Sequence, residues 1–441
     1  MKSAVASLLL AAMSGSSEAR PHEAQLNARM FGPAELQAFT APQAVSMVNL
    51  KQEKMSHRES QRAAGTYDLN KYERAGPAAC VNGTAAGYAC NRVDLMGFLR
   101  HQDMGATKLP ANLVEGWASA DGREFGAVGQ AEGTAFVEVK SDGSLVYLGR
   151  LPTQTEPSTW RDMKVIKNHP RHIPLSSLTA HFDGFGSSHN VVANEETNMI
   201  YVVGTERSLP CRAGLWMIDV FHPERPQDMG CVSSDGYVHD AQCVIYKGPQ
   251  VAYQGREICF NYNEDALTIV DVTRKPTPVM LSRTTYKGAT YTHQGWLANA
   301  DMTYLLLDDE LDEQRQNGPA ADQRTTTYVV DITDLKNPVF KSVYKSPQKS
   351  IDHNQYVIDG VSYQSNYGSG LRIVDVRSVG RDEGASSGFM EAGYFDCRPE
   401  DDAVGGQATF DGSWSVYPYF KSGYILLNSI ERGVFSLKYH G

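Results

Sequence analysis

Residues 267–273 read LTIVDVT, a run of β-branched and apolar residues that ends in an aspartate and a small turn. Such a run is typical of a buried β-strand. It recurs three more times, in residues 215–220 (LWMIDV), 327–333 (TYVVDIT) and 371–376 (LRIVDV). A second strand then follows in two of these units, after Pro278 and Pro338. The chain is therefore predicted to be built from one repeated β-unit.

A second regular position marks the start of each unit. It precedes a short apolar strand near residues 117, 160, 189, 239, 293, 353 and 414. From residue 189 onward these starts lie 50, 54, 60 and 61 residues apart. A period near 50 with four short strands per unit is typical of β-propeller blades, and no long helical period is present. The sequence thus predicts an all-β propeller of about seven blades.

Two places depart from a regular ring. Only 29 residues separate Trp160 from His189, and residues 168–178 (NHPRHIPLSSL) contain two prolines. The second blade is therefore predicted to lack its middle strands, either as a real variant or as an artefact of the gene model. The last blade offers three strands, so residues 92–100 (RVDLMGFLR) are predicted to pair with it and close the ring.

Composition and the N-terminus bear on location. The 441 residues contain 41 Lys and Arg against 51 Asp and Glu, a net charge of −10. This acidity argues against a nucleic-acid or anionic-membrane binder. Residues 1–19 fit a cleaved signal peptide better than a buried N-terminal helix, and no transmembrane segment or C-terminal anchor is predicted. We expect a secreted protein with a poorly ordered polar leader (20–79) before a propeller (80–440).

The seven cysteines fit an oxidising location, although buried reduced thiols are the alternative. Three disulfides are expected from proximity along the chain or on neighbouring strands: Cys80–Cys90, Cys211–Cys231 and Cys243–Cys259. Cys397 is left as a free thiol. Asn82 begins the sequence Asn-Gly-Thr, a predicted N-glycosylation site within the first cysteine loop.

Four histidines occupy the same position in four consecutive units: His189, His239, His293 and His353. Because the first strand of each blade lines the propeller axis, these side chains are expected to converge at one mouth of the channel. Imidazoles are common ligands of Fe, Cu and Zn. The alternative is structural, because each histidine has a polar neighbour with which it can build a hydrogen-bond network between blades. The sequence leaves both roles open.

Acidic residues are expected around the same mouth, because second strands return to the face where first strands begin. The candidates are Asp240, Asp308, Asp309, Glu310, Asp312 and Glu313. These carboxylates are predicted either to orient the imidazoles from outside or to bind Ca²⁺. A solvated acidic loop is the commoner meaning of such a run.

Several long motifs resemble the choice-of-anchor B family, whose members are built on LVIVD repeats. They include residues 122–139 (GREFGAVGQAEGTAFVEV), 182–196 (FDGFGSSHNVVANEE), 239–249 (HDAQCVIYKGP), 253–265 (YQGREICFNYNED), 291–297 (YTHQGWL), 305–313 (LLLDDELDE) and 414–420 (WSVYPYF). The resemblance covers roughly residues 80–439. It implies a secreted or surface β-propeller and supplies no established activity. The chain departs from the family in its short second blade and in having no C-terminal anchor.

Two functions follow as hypotheses. The first is an extracellular scaffold that binds a protein or glycan through its polar propeller face, with an axial metal ion as an option. The second is a secreted metalloenzyme of the oxidase or oxygenase kind. Carotenoid-cleaving oxygenases are similar in plan, with a seven-bladed propeller and four axial histidines on iron, but this is an analogy of fold. The chain contains no phosphate loop or zinc-helix motif, so the catalytic residues are not identified and the scaffold is favoured.

Overall fold

The computed structural model describes residues 33–37, 45–107, 111–153, 156–166, 179–381 and 385–441. The predicted signal peptide lies outside these residues, as does the proline-containing stretch 168–178. Among the described residues, no helix is both long and apolar enough to span a membrane.

The elements are almost entirely strands. Two helices come first: α1 (Pro33–Gln37) and α2 (Met47–Ala63). Three strands precede the first complete sheet: β1 (Thr84–Ala85), β2 (Tyr88–Asn91) and β3 (Val93–Arg100). The first half of the remaining chain contains β4 (Ala111–Ala118), β5 (Glu124–Gln130), β6 (Gly133–Val139), β7 (Leu145–Pro152), β8 (Asn190–Asn194), β9 (Met199–Val203), β10 (Leu215–Asp219), β11 (Gln227–Val232), β12 (Val238–Ile245), β13 (Glu257–Asn263), β14 (Ala266–Asp271) and β15 (Val279–Thr284).

The second half contains β16 (Thr292–Leu297), β17 (Tyr304–Asp309), the short helix α3 (Asp312–Arg315), β18 (Arg324–Asp331), β19 (Val339–Lys349), β20 (Asn354–Ile358), β21 (Val361–Ser365), β22 (Leu371–Asp375), β23 (Met390–Phe395), β24 (Ser413–Tyr417), β25 (Tyr424–Ser429) and β26 (Gly433–Tyr439). Short 3₁₀ turns lie at His101–Met104, Val251–Tyr253, Gly318–Ala320 and Asp402–Val404.

Within the described residues, the strands form six antiparallel sheets arranged as propeller blades. In chain order these are β4–β7, β8–β11, β12–β15, β16–β19, β20–β23, and β24–β26 with β3. The first strands contact one another in the series β8, β12, β16, β20, β24 and β4, so they line the central axis. Apolar residues fill the space between blades, as where Phe260 and Ile269 of the third blade pack with Leu305 and Leu307 of the fourth.

The expectation of about seven blades is corrected to six. Residues 156–166 and 179–189, where the truncated second blade was predicted, contain no strand. The segment 156–166 instead runs against the first blade, where Arg161 donates from Nε to the Gln130 carbonyl at 2.9 Å and Ser158 donates its N–H to the Ala131 carbonyl at 2.9 Å. Trp160 therefore does not open a blade. Too few residues lie here to build four strands.

The ring closes as expected. Strand β3 pairs antiparallel with β26 from Val93 opposite Tyr439 to Arg100 opposite Gly433, so the N-terminal strand completes the last blade. Leu95 is fully buried in the core shared by the last two blades. Strand β2 pairs with β23 and β1 pairs with β2, so these two strands extend the fifth blade.

The three expected disulfides are present. The Cα–Cα distances are 6.0 Å for Cys80–Cys90, 5.6 Å for Cys211–Cys231 and 4.0 Å for Cys243–Cys259. Cys397 is buried and free. Asn82 is exposed in the turn before β1, so the sequon is accessible, and glycosylation stays a prediction.

The leader differs from the expectation of a poorly packed segment. Helix α2 spans 17 residues, and Leu50, Lys54 and Arg58, spaced by four residues, are buried on one face. Leu50 packs with Tyr291, Trp414 and other aromatic residues at the channel mouth. The buried face is largely cationic because the surface it covers is acidic and aromatic, so an apolar periodicity was absent from the sequence.

Candidate metal centre

The four predicted histidines lie together at the mouth of the channel. His239 and His293 belong to β12 and β16, whereas His189 and His353 immediately precede β8 and β20. Successive ring centroids are 4.0, 4.1 and 4.3 Å apart along the order 189, 239, 293 and 353. The imidazoles thus form an arc across four consecutive blades.

Hydrogen bonds to the next blade orient two of these rings. His239 Nδ1 lies 2.9 Å from the carbonyl oxygen of His293, and His353 Nδ1 lies 2.6 Å from that of Trp414. A carbonyl only accepts, so Nδ1 carries the proton and Nε2 keeps its lone pair. At Nδ1 of these two rings the partner is thus a backbone carbonyl and not a carboxylate. In these two rings one nitrogen bonds to the neighbouring blade, which leaves the lone pair of the other nitrogen for a ligand.

Burial keeps the imidazoles neutral. It is the largest cause that holds the pKa of His239, His293 and His353 well below the ordinary value, and the Lys54 ammonium adds to this effect. Neutral imidazole is the form that binds a metal ion.

Glu310 is the carboxylate that reaches the histidines. Its Oε1 lies 3.4 Å from His353 Nε2 and its Oε2 lies 3.8 Å from His293 Nε2. One ligand atom from each of His239, His293 and Glu310 lies within 4.8 Å of the other two. Oε2 of Glu310 has no hydrogen-bond partner among the described residues, although it is fully buried. We call the four histidines and Glu310 the axial cluster.

Lys54 of α2 covers the axial cluster. Its ammonium forms an ion pair with Glu310 Oε1, which also accepts a hydrogen bond from the Tyr367 hydroxyl at 2.5 Å. The same ammonium lies 4.9 Å from the ring centroid of Trp414 and 5.3 Å from that of Phe410. Burial lowers the pKa of Lys54 to about 8, and Glu310 opposes this shift.

Contacts from several elements fix α2 over the mouth. Arg58 donates to the Thr159 hydroxyl at 2.8 Å and places its guanidinium 4.3 Å from the Trp160 ring. His57 Nε2 lies 2.7 Å from Asp411 Oδ1. Trp160 and all four histidines line a cavity of about 20 Å³, which has room for one ion or one to two water molecules.

The remaining predicted acidic residues have different roles. Asp240 accepts a hydrogen bond from the Ala241 N–H at 2.7 Å, and burial raises its pKa to about 7 while Lys164 opposes the rise. It does not orient an imidazole. Asp309 accepts from the Thr290 and Tyr291 N–H groups, each at 2.8 Å, and so fixes the turn that leads to His293.

Within the described residues, no hydrogen bond or ion pair joins the other three acidic residues to the four histidines. Asp308, Asp312 and Glu313 are buried rather than solvated, which rules out the solvated-loop interpretation. Asp312 and Glu313 lie close to Asp352, a residue that the sequence analysis did not select. Burial is the largest cause that raises the pKa of Asp308 and of Glu313 to about 8.

Known proteins resemble this chain only in their three-dimensional structure. No family model and no curated protein matches the chain. Among solved structures, a protein from Lactobacillus plantarum is 11% identical with a TM-score of 0.38, covering 73% of this chain and 78% of its own. The periplasmic gluconolactonase of Pseudomonas aeruginosa is 9% identical with a TM-score of 0.38, covering 74% and 79%. At these TM-scores the similarities carry no argument about function.

Proposed function

We propose that this chain is an extracellular β-propeller metalloprotein that binds one transition-metal ion through His239, His293 and Glu310. The observation that carries the proposal is the convergence of one ligand atom from each residue within 4.8 Å. Zinc–ligand bonds of about 2.0–2.2 Å require only small side-chain rotations from this arrangement. His353 adjoins the same carboxylate at 3.4 Å and supplies a further nitrogen.

The donor chemistry supports this assignment. Two imidazoles and one carboxylate are the ligands found on zinc in hydrolytic enzymes and on non-haem iron in oxygenases. The carbonyl that accepts from His239 Nδ1 fixes the ring and leaves Nε2 to bind the ion. Glu310 contributes a buried oxygen without a hydrogen-bond partner among the described residues.

Lys54 competes with a metal ion in this proposal. Its ammonium neutralises Glu310 in the described conformation. A divalent ion would neutralise the same carboxylate, and an ammonium beside it would be repelled. Binding of a metal is therefore coupled to withdrawal of Lys54 from the axial cluster, and hence to the position of α2.

An extracellular binding scaffold is the second candidate. A specific observation favours it: the cavity that the four histidines line, of about 20 Å³, is too small for an organic substrate. In that case the axial cluster and Lys54 serve to attach α2 to the ring, and a protein or glycan binds elsewhere on the propeller. Secretion and membership of the choice-of-anchor B family remain predictions from the sequence motifs and agree with the three disulfides.

Elemental analysis of the purified full chain separates the two candidates. After incubation with Zn²⁺ or Fe²⁺ and removal of free ions, we expect about one equivalent bound, as a single site requires. Glu310→Gln should lose the ion, whereas Lys54→Met should bind it more tightly. Gln52→Met, at an exposed position on the same helix, is the matched control and should behave as the wild type. Absence of metal from both the wild type and Lys54→Met would reject the metal site and leave the scaffold.

A further inference from the structure

A group of buried carboxylates lies outside the axial cluster. We call Asp312, Glu313 and Asp352 the carboxylate cluster; the first two belong to α3 and the third lies just before β20. One oxygen from each residue lies within 4.8 Å of the other two. All three side chains are essentially inaccessible to solvent.

The protein satisfies only part of this cluster. The Tyr328 hydroxyl donates to Asp312 Oδ2 at 2.8 Å, and the Thr326 N–H donates to Glu313 Oε1 at 2.8 Å. The second oxygen of each accepts no hydrogen bond from a donor group among the described residues, and neither does either oxygen of Asp352. The carboxyl groups instead approach one another, Asp312 beside Glu313 and Asp352 beside Asp308. Burying a carboxylate without a partner raises the free energy of the folded state. These oxygens are therefore expected to bind a cation or protons.

The nearest cationic side chain is already engaged. Lys345, whose charge acts on Glu313, donates from Nζ to the Pro319 carbonyl at 2.6 Å and forms an ion pair with Asp322. Asp308 is a fourth carboxylate in this region, and its charge interacts with Asp352. Its Oδ2 accepts a hydrogen bond from the side-chain amide of Gln355 at 2.7 Å. The region therefore carries an excess of negative charge without a matching side chain.

We propose that Asp312, Glu313 and Asp352 form a binding site for a Ca²⁺ ion. Calcium takes six to eight oxygen ligands at about 2.3–2.6 Å, so three oxygens within 4.8 Å of one another can share one ion with little rearrangement. All donors are oxygens, which disfavours the transition metals expected at the axial cluster. Magnesium is disfavoured because it retains water, and this site is closed to solvent.

The site has a structural consequence. The ion would tie α3, after the second strand of the fourth blade, to the segment that leads into β20 of the fifth blade. That segment also carries His353, one residue after Asp352. Calcium binding is thus expected to stabilise the junction between these blades. The proposal does not depend on metal binding at the axial cluster.

The test compares the full chain in Ca²⁺, in Mg²⁺ and in EGTA after unfolding and refolding, because a buried ion exchanges with folding. We expect about one bound Ca²⁺ per chain and a melting temperature at least about 5 °C higher in Ca²⁺ than in EGTA or Mg²⁺. Equal melting temperatures and no retained calcium would overturn the proposal and assign protons to the carboxylates.

Variants locate the ion. Asp352→Asn should weaken Ca²⁺ binding at least about tenfold, and Glu313→Gln serves the same purpose where the first variant does not fold. Asp121→Asn, which removes an exposed carboxylate of the first blade, is the matched control. Glu310→Gln should retain Ca²⁺, which distinguishes this site from the axial cluster. Full Ca²⁺ affinity in a folded Asp352→Asn variant would refute the assignment.

Discussion

Replacement of Lys54 by methionine should loosen α2 from the channel mouth. Lys54 and Glu310 form a buried pair, with both side chains almost inaccessible to solvent. Removing one partner of such a pair costs about 3–5 kcal/mol, because the other charge stays buried and unpaired. Methionine preserves much of the packing, and the Tyr367 hydroxyl still donates to Glu310. We therefore expect the lower end of the range, about 3 kcal/mol.

Hydrogen exchange of the α2 amides measures this cost as a local opening free energy. A loss of about 3 kcal/mol raises the opening constant about 100-fold. The measurement is made in EDTA, so that no metal replaces the lost ammonium. Gln52→Met, at an exposed position of α2, should stay within about threefold of the wild type, as exposed substitutions do.

A double-mutant cycle isolates the pair. Lys54→Met combined with Glu310→Gln removes both charges, so its exchange should recover much of the loss, with a coupling energy of about 2 kcal/mol. Exchange of the α2 amides within threefold of wild type in Lys54→Met, or strict additivity in the double variant, would refute the account of how α2 is held.

Three further predictions concern the ring. Leu95→Ala, at a fully buried position of the closing strand, should lower the free energy of unfolding by about 2–5 kcal/mol in denaturant titration. Replacing Cys243 and Cys259 together by alanine should lower the free energy of unfolding by about 3 kcal/mol, since their disulfide closes a loop of 16 residues. Burial lowers the pKa of His101 to about 4 from an unfolded value of 6.5, against the opposing Ser429 carbonyl. As the pH falls, the unfolded state therefore binds a proton at His101 before the folded state does. The free energy of unfolding should decrease by about 3 kcal/mol as the pH falls from above 6.5 to 4.

Each of these predictions has its own control. Val146→Ala, at an exposed position on β7, should leave stability nearly unchanged beside Leu95→Ala. The double cysteine variant is compared with reduced wild type, and equal stability of oxidised wild type and variant would contradict the prediction. For His101 the reference is His101→Gln. A stability difference between wild type and this variant that does not change between about pH 7.5 and 4 would show that the proton is not excluded from the fold.

The ring was predictable because its signals are local and repeated. The LVIVD-like runs fixed which segments become strands, and the incomplete last blade pointed to β3 as its missing strand. The four histidines converged because equivalent positions on successive blades face the same axis. The disulfides followed from spacing and from adjacent strands.

Other features depend on contacts that a single sequence does not display. Trp160 resembles a blade start, yet its segment packs along the first blade and under Arg58, and so forms no sheet. Helix α2 has a buried Leu-Lys-Arg face that no hydrophobic periodicity reveals. Asp352 is a lone acidic residue, and only the approach of the fourth and fifth blades brings it to Asp312 and Glu313. A signal was present in Asp352-His353, where an acidic residue precedes an axial histidine.

The metal site can be observed by anomalous diffraction at the zinc edge from crystals of the full chain grown with Zn²⁺. We expect one strong peak about 2.0–2.2 Å from Glu310 and from the Nε2 atoms of His239 and His293, with the Lys54 ammonium displaced. The absence of a peak, with Lys54 still paired to Glu310 in density, would contradict the proposed metal site.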